Sequence, residues 1–170
     1  MPSSFPADTR AVVLTISDRC FNRQQTDLSG PAVVGLLRQS GIITVETLTL
    51  PDELDQIAAA LRQHARTANL LITTGGTGLA PRDVTPEATR LVCDRLIDGL
   101  SELMRSDGLR HTPYAALSRA LCGAVGDTLV INLPGSPAGA VSSLASIIPI
   151  LPHALDILAG RTAHHPASDS

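Results

Sequence analysis

A chain of 170 residues fits one domain with a core large enough to fold alone, and 44% hydrophobic against 17% charged residues is a globular composition rather than a disordered one. Aromatics at 2% and a formal net charge of -3 leave neither a base-stacking platform nor a basic footprint for nucleic acid, and they require an aliphatic core. The chain has no lysine, which excludes Schiff-base and pyridoxal-lysine chemistry and makes every fixed side-chain cation an arginine.

Cys20, Cys93 and Cys122 are odd in number and widely spaced, which suits a reducing compartment. No Cys-x-x-Cys or His-x-x-x-His pair suggests a structural metal. The opening MPSSFPADTR lacks the apolar core of a signal peptide. The apolar stretch Ile147 to Leu158 is too short to span a bilayer and contains Pro149, Pro152, His153 and Asp156, so a soluble, cytoplasmic protein with no membrane partner is expected.

In chain order, Ala11 to Ser17 is β-branched and nearly continuously apolar, as a strand buried on both faces of a parallel sheet is; it ends in Asp18 and Arg19. Ser29 to Ser40 follows as a helix, with Ser29 as N-cap candidate, Val33, Leu36 and Leu37 at helical spacing, and Gly41 to close it. Ile42 to Leu50 reads as a second strand ending in Pro51, Asp52 and Glu53, before a helix marked by Leu54, Ile57, Ala58, Leu61 and Ala65. Leu70 to Thr74 is a third strand and runs into Gly75, Gly76 and Gly78, where the backbone can take positive φ and approach a ligand, most favourably a phosphate. Thr85 then reads as an N-cap, with Pro86 at the first helical position and Glu87 in the first turn. Helical patterns return at Ala88, Leu91 and Val92 and around Leu100, Leu103 and Met104. Asp127 to Leu133 is a fourth strand, followed by Pro134-Gly135-Ser136-Pro137 and two helices separated near Pro149 and Pro152. Alternating strands and helices predict an α/β fold, three layers with a mostly parallel central sheet, as a single domain over residues 10–160 with flexible termini at 1–9 and 161–170.

Parallel strands would gather four polar or glycine-rich turns along one sheet edge, the usual ligand crevice. Neither common phosphate loop is matched: the dinucleotide fingerprint needs a glycine where Pro81 stands, and the Walker loop needs a lysine. Each turn also has a local explanation, with Asp18 capping a turn, Asp52 capping the following helix, or Asp83 pairing with Arg82 or Arg90. Together, Asp52 and Asp83 near a phosphate loop suit Mg²⁺, which is held by one or two carboxylates plus substrate phosphates. Pro134 to Pro137 lacks the Gly-x-Ser-x-Gly spacing of a nucleophile elbow, and no histidine stands in an obvious position to activate Ser136.

TTGGTG (Thr73 to Gly78) followed by RDVTPEAT (Arg82 to Thr89) resembles the MoaB/Mog family of molybdenum-cofactor biosynthesis. The pattern resumes in its usual order at SDR (Ser17 to Arg19), TDLSGP (Thr26 to Pro31), PDE (Pro51 to Glu53), PYAALSR (Pro113 to Arg119) and NLPGSP (Asn132 to Pro137). The resemblance implies a nucleotidyltransferase that moves AMP from ATP to molybdopterin and releases pyrophosphate. It implies Asp52 and Asp83 as catalytic and Mg²⁺-holding carboxylates, and ligand binding by Ser17, Asp18, Arg19, Gly75, Gly76, Thr77, Gly78, Arg82, Ser118, Arg119, Pro134, Gly135 and Ser136. It further implies a homotrimer or hexamer and a molybdenum-insertion enzyme as a partner. Two places depart from the family pattern. Asn22-Arg23-Gln24-Gln25 stands where many relatives carry a Gly and a Tyr, and Ala138 where many carry a Lys. These departures keep two alternatives open, a non-catalytic molybdopterin- or nucleotide-binding protein and another nucleotide-cleaving enzyme of the same fold. Tyr114 is expected to pack beside the site, His111 and His153 to lie at the surface or an interface, Cys93 and Cys122 to pack, and Cys20 to be exposed and apart from the chemistry.

Overall fold

In the computed structural model, which describes residues 4–161, the apolar runs form the central strands of one six-stranded sheet. The strands are β1 (Arg10–Ile16), β2 (Thr44–Leu50), β3 (Leu70–Thr74), β4 (Arg95–Leu96), β5 (Cys122–Val125) and β6 (Thr128–Leu133). Their spatial order is β2-β1-β3-β6-β5-β4; the first four are parallel, and β5 and β4 add an antiparallel edge. The helices are α1 (Asp18–Phe21), α2 (Ser29–Gln39), α3 (Leu54–His64), α4 (Thr85–Val92), α5 (Asp98–Leu109), α6 (Pro137–Ile147) and α7 (Leu151–Leu158), with 3-10 turns at Pro113–Leu117 and Ile148–Ile150.

Because side chains alternate across a strand, the sheet divides the core in two. Val13, Ile72 and Ile131 face α2, α5, α6 and α7 through Val33, Leu37, Met104, Leu144 and Leu151. Leu14, Leu71 and Val130 face α3 and α4 through Ile57, Leu61, Ala88 and Val92. The result is the expected three-layer α/β architecture with an aliphatic core. α2, between β1 and β2, lies on one face; α3, which carries the chain back past β1 to β3, lies on the other. A crevice therefore opens between the carboxyl ends of β1 and β3, the switch point of an open α/β sheet.

Several local expectations change. The antiparallel hairpin edge was not anticipated, since β4 has two residues and β5 four, too few to show a period, and β5 contains Gly123. Thr85 is the first residue of α4 and not its N-cap: its hydroxyl donates to the Gly75 carbonyl at 3.0 Å. Ser29 likewise lies inside α2, whose N-terminal Gly30 N–H is met by Asp27 at 3.0 Å. The two late helices and the turn between them form a run of 22 residues, Pro137–Leu158, long and apolar enough to cross a membrane by length and composition, beyond the Ile147 to Leu158 stretch read from sequence. Ala140, Leu144, Ile147, Leu151 and Leu155 of that run are buried in the core. Arg161 bonds Asp8 at 2.9 Å and Asp156 at 3.1 Å, while residues 1–3 and 162–170, expected to be flexible, lie outside the described residues.

One buried polar group ties the layers together. Asn132 is fully buried opposite Thr73; its amide donates to Thr73 Oγ1 at 3.0 Å and Thr89 Oγ1 at 2.9 Å, and its carbonyl accepts the Leu121 N–H at 3.1 Å. Leaving such groups without partners is costly, so Asn132→Ala should destabilise the fold by about 3 kcal/mol in chemical denaturation.

Candidate functional site

The four parallel strands end level with one another. Ile16 stands opposite Leu50, Thr15 opposite Thr74, and Thr74 opposite Leu133, so the turns that follow converge at one edge. After β1, Ser17 caps α1 by accepting the Cys20 N–H at 3.2 Å. Asp18 and Asp52 lock the first two turns together, the Asp18 N–H donating to Asp52 Oδ2 at 2.9 Å and the Asp52 N–H to Asp18 Oδ1 at 3.0 Å. Neither aspartate therefore plays the local capping role that the sequence left open. Arg82 grips Asp18 from outside, with Nε 2.6 Å from Oδ2 and Nη2 3.1 Å from Oδ1, and also reaches Glu53 at 3.0 Å.

After β3 the chain turns through Gly75 and Gly76 at φ of 91° and 69°, where a side chain would be strained and would meet the Ile16 carbonyl or the Thr85 hydroxyl. Gly78 differs from expectation: its φ is not positive, and the lack of a side chain instead leaves room for the Asp83 carboxylate, whose Oδ2 lies 2.8 Å from where a Cβ would sit. Asp83 closes a short turn by accepting the Ala80 N–H at 3.0 Å. Among the described residues, the backbone N–H groups of Gly76, Thr77, Gly78, Gly135 and Ser136 have no acceptor in the protein, so two loops present free donors of the kind that hold phosphate oxygens.

Two cavities flank these loops. The larger, about 800 Å³, lies between the glycine loop, α5, the 3-10 turn at Pro113–Leu117 and the start of α6. The smaller, about 280 Å³, sits in the β1/β3 crevice. Gly76, Asp83 and Gly135 line both, so the cavities adjoin at these three residues. Of the residues singled out in the sequence, Ser17, Gly75 and Asp52 line the smaller cavity, and Thr77, Gly78, Ser118, Pro134 and Ser136 the larger. Asp18, Arg19, Arg82 and Arg119 line neither.

Sequence reasoning missed the α5 wall of the larger cavity, Ser101, Met104 and Arg105; their three- and four-residue spacing was legible but reads equally well as a core stripe. It also passed over Asp27 and Ser29 in the TDLSGP motif. Cys20 lines the smaller cavity, contrary to its expected separation from the site, because the α1 turn folds it inward. The other two thiols are inert: burial pushes Cys93 up to about 11 and Cys122 up to about 12. Tyr114 is exposed at the mouth of the larger cavity.

The carboxylates differ in electrostatics. Asp18 is held below its usual pKa by the Arg82 hydrogen bond and then by the Asp52 N–H. Asp52 is pushed above its usual value by burial, and the negative charges of Asp18 and Asp83 add to the shift. Asp52 and Asp83 each have one oxygen engaged by a backbone N–H and leave Oδ1 without a donor among the described residues. That donor set fits Mg²⁺ completed by phosphate and water, and no cluster of three or more His, Cys, Asp or Glu side chains suited to a metal occurs among the described residues.

A three-layer α/β domain with a glycine loop and paired aspartates at its switch point defines a ligand-binding class, and comparison with known proteins makes it specific. Residues 12–153 match the family described as a probable molybdopterin binding domain. The crystal structure of the molybdopterin biosynthesis enzyme MoaB from Thermus thermophilus superposes with a TM-score of 0.82 at 47% identity, covering 89% of this chain and 97% of that one. A molybdopterin adenylyltransferase of Helicobacter pylori is 38% identical over 153 residues, 88% of this chain and 87% of its own. The molybdenum cofactor synthesis protein cinnamon of Drosophila melanogaster is 43% identical over 149 residues, 86% of this chain, which spans 25% of the fly protein. The chain belongs to the MoaB/Mog family of molybdenum-cofactor biosynthesis proteins.

The Asp52 shift has a consequence for stability. Its pKa is raised above 3.8, so as pH rises through that value the unfolded chain gives up the proton first and stability falls until the folded carboxyl ionises too. Asp52→Asn keeps an acceptor for the Asp18 N–H and removes the penalised charge. Its Tm should exceed that of the parent at about pH 7, and the gain should shrink as pH is lowered into the aspartate range.

Proposed function

We propose that the protein transfers AMP from ATP to molybdopterin and releases pyrophosphate. The observation that carries this reading is the meeting of two unequal cavities at Asp83, one in the phosphate-binding crevice and one large enough for a pterin. A phosphate oxygen of molybdopterin in the larger cavity would attack the α-phosphorus of ATP in the smaller. The bond from that phosphorus to the bridging oxygen breaks, and pyrophosphate leaves with the electron pair. Free N–H groups of Gly76, Thr77 and Gly78 on one loop and Gly135 and Ser136 on the other hold phosphate oxygens on either side of the reacting centre. Asp52 and Asp83 would hold Mg²⁺, which offsets charge on the phosphates when bound. Ser118 and the loop residues line the pterin side, and Ser17 the nucleotide side. The protein would act in the cytoplasm and pass its product to a molybdenum-insertion enzyme.

Incubation with ATP, Mg²⁺ and molybdopterin tests the reading: pyrophosphate should appear only when molybdopterin is present. Molybdopterin binding without turnover would favour a non-catalytic binder. Nucleotide cleavage without pterin would point to a different enzyme. Asp83→Asn keeps the turn that accepts the Ala80 N–H but removes the charge, so turnover should fall on the order of 10²-fold with molybdopterin still bound. Near-normal pyrophosphate release would sink the assignment.

The assembly proposed is a homotrimer or a pair of trimers. Exposed Ile43, Leu48, Ile150 and Ile157 are apolar surface that symmetric contacts would cover. Sedimentation at micromolar concentration should give three or six chains, and a monomer would overturn this.

A further inference from the structure

The segment 118–120 crosses from α5 to the glycine loop and is held at both ends. Arg105 Nη1 donates to the Ser118 carbonyl at 3.4 Å and the Ala120 carbonyl at 3.0 Å, on either side of Arg119. Arg119 in turn fastens the loop that carries Asp83. Its backbone N–H reaches the Thr77 carbonyl at 2.9 Å, Nε the Gly78 carbonyl at 2.8 Å and Nη2 the Asp83 carbonyl at 2.7 Å, while Nη1 pairs with Glu87. The planar fork thus spans both ends of the 78–83 turn. Burial alone would raise the Glu87 pKa, but the Arg119 hydrogen bond, a backbone donor and nearby arginine charge hold it below its usual value, so Glu87 is the anion that balances this cation.

This arrangement differs from a cation waiting for a substrate. Arg119 lines neither cavity, and its donors point at backbone carbonyls and a carboxylate of its own chain. Within the loop, Asp83 closes its turn on Ala80 and Thr85 holds the carbonyls of Gly75 and Gly76, but the Thr77 and Gly78 carbonyls between these two turns are held by Arg119. Donors and a carboxylate that act on transferring phosphates must be held in place beforehand to be effective. We propose that Arg119 is a positioning residue for Asp83 and the glycine loop, balanced by Glu87 and anchored through Arg105, and not a residue that pairs with a substrate anion. This rests on the reading of Asp83 given above.

The test compares the parent with Arg119→Ala, Arg119→Lys, Asp83→Asn and the Arg119→Ala/Asp83→Asn double variant. Amide hydrogen exchange in the free protein should be about tenfold or more faster at the bonded amides of the loop, those of Ala80, Asp83 and Thr85, in both Arg119 variants, because a lysine cannot span two carbonyls and a carboxylate, while β1 and β3 stay as protected as in the parent. In pyrophosphate release, kcat should fall about tenfold or more with KM for molybdopterin within about threefold. The double variant should lose less than the product of the two single losses, since Arg119 acts in part through Asp83. Unchanged exchange at Ala80, Asp83 and Thr85, losses that multiply in the double variant, or a tenfold higher KM at unaltered kcat would each overturn the proposal. If Arg119→Ala does not fold, Arg119→Lys carries the same comparisons, including its own pairing with Asp83→Asn. If the parent releases no pyrophosphate, the adenylyl-transfer reading fails, while the exchange comparison still decides whether Arg119 holds the loop.

Discussion

Level parallel pairing of β1, β2, β3 and β6 is the constraint on which the site depends. Residues 34 positions apart in the chain, such as Asp18 and Asp52, exchange backbone-to-carboxylate hydrogen bonds because their strands end in register. The same register sets the glycine loop beside Pro134 to Ser136. A shift by one residue would turn Asn132 away from Thr73 and Thr89 and exchange the apolar sets that face the two helix layers. Core packing and site geometry are therefore fixed by one pattern.

Charge is distributed by the same economy. With no lysine, arginines supply every fixed cation, and three near the site are bound to the protein itself: Arg82 to Asp18 and Glu53, Arg119 to Glu87 and the loop carbonyls, and Arg105 to the carbonyls flanking Arg119. Bidentate and forked contacts suit guanidinium, which fixes loops more firmly than an ammonium does. Asp52 and Asp83 are left with free oxygens facing a crevice lined by peptide N–H groups.

The family to which the chain belongs was legible from its turns. SDR, PDE, TTGGTG with RDVTPEAT, and NLPGSP are the segments in which the backbone must bend, approach closely or donate, and such demands leave few choices of residue. β1, β3 and β6 were legible too, because strands buried on both faces need continuous apolar runs, and β2, an exposed edge strand, was legible from its β-branched residues and the turn that ends it. The β4–β5 edge was not, since it pairs segments 27 to 29 residues apart, Arg95 with Ala124 and Leu96 with Gly123, too short to carry a pattern of their own.

By itself, then, the sequence determined the layers, the parallel sheet, the aliphatic core and the set of turns that could bear chemistry, because periodicity and turn composition are local properties of a chain. Only the tertiary structure decided what each polar residue does. Thr85 ties down the glycine loop where a cap was expected, Asp18 and Asp52 bond to each other, Cys20 turns into the crevice, and Arg119 grips the loop that carries Asp83. A hydrogen bond depends on a partner brought close in space, and that partner lies on a different turn from the residue whose identity the sequence reveals.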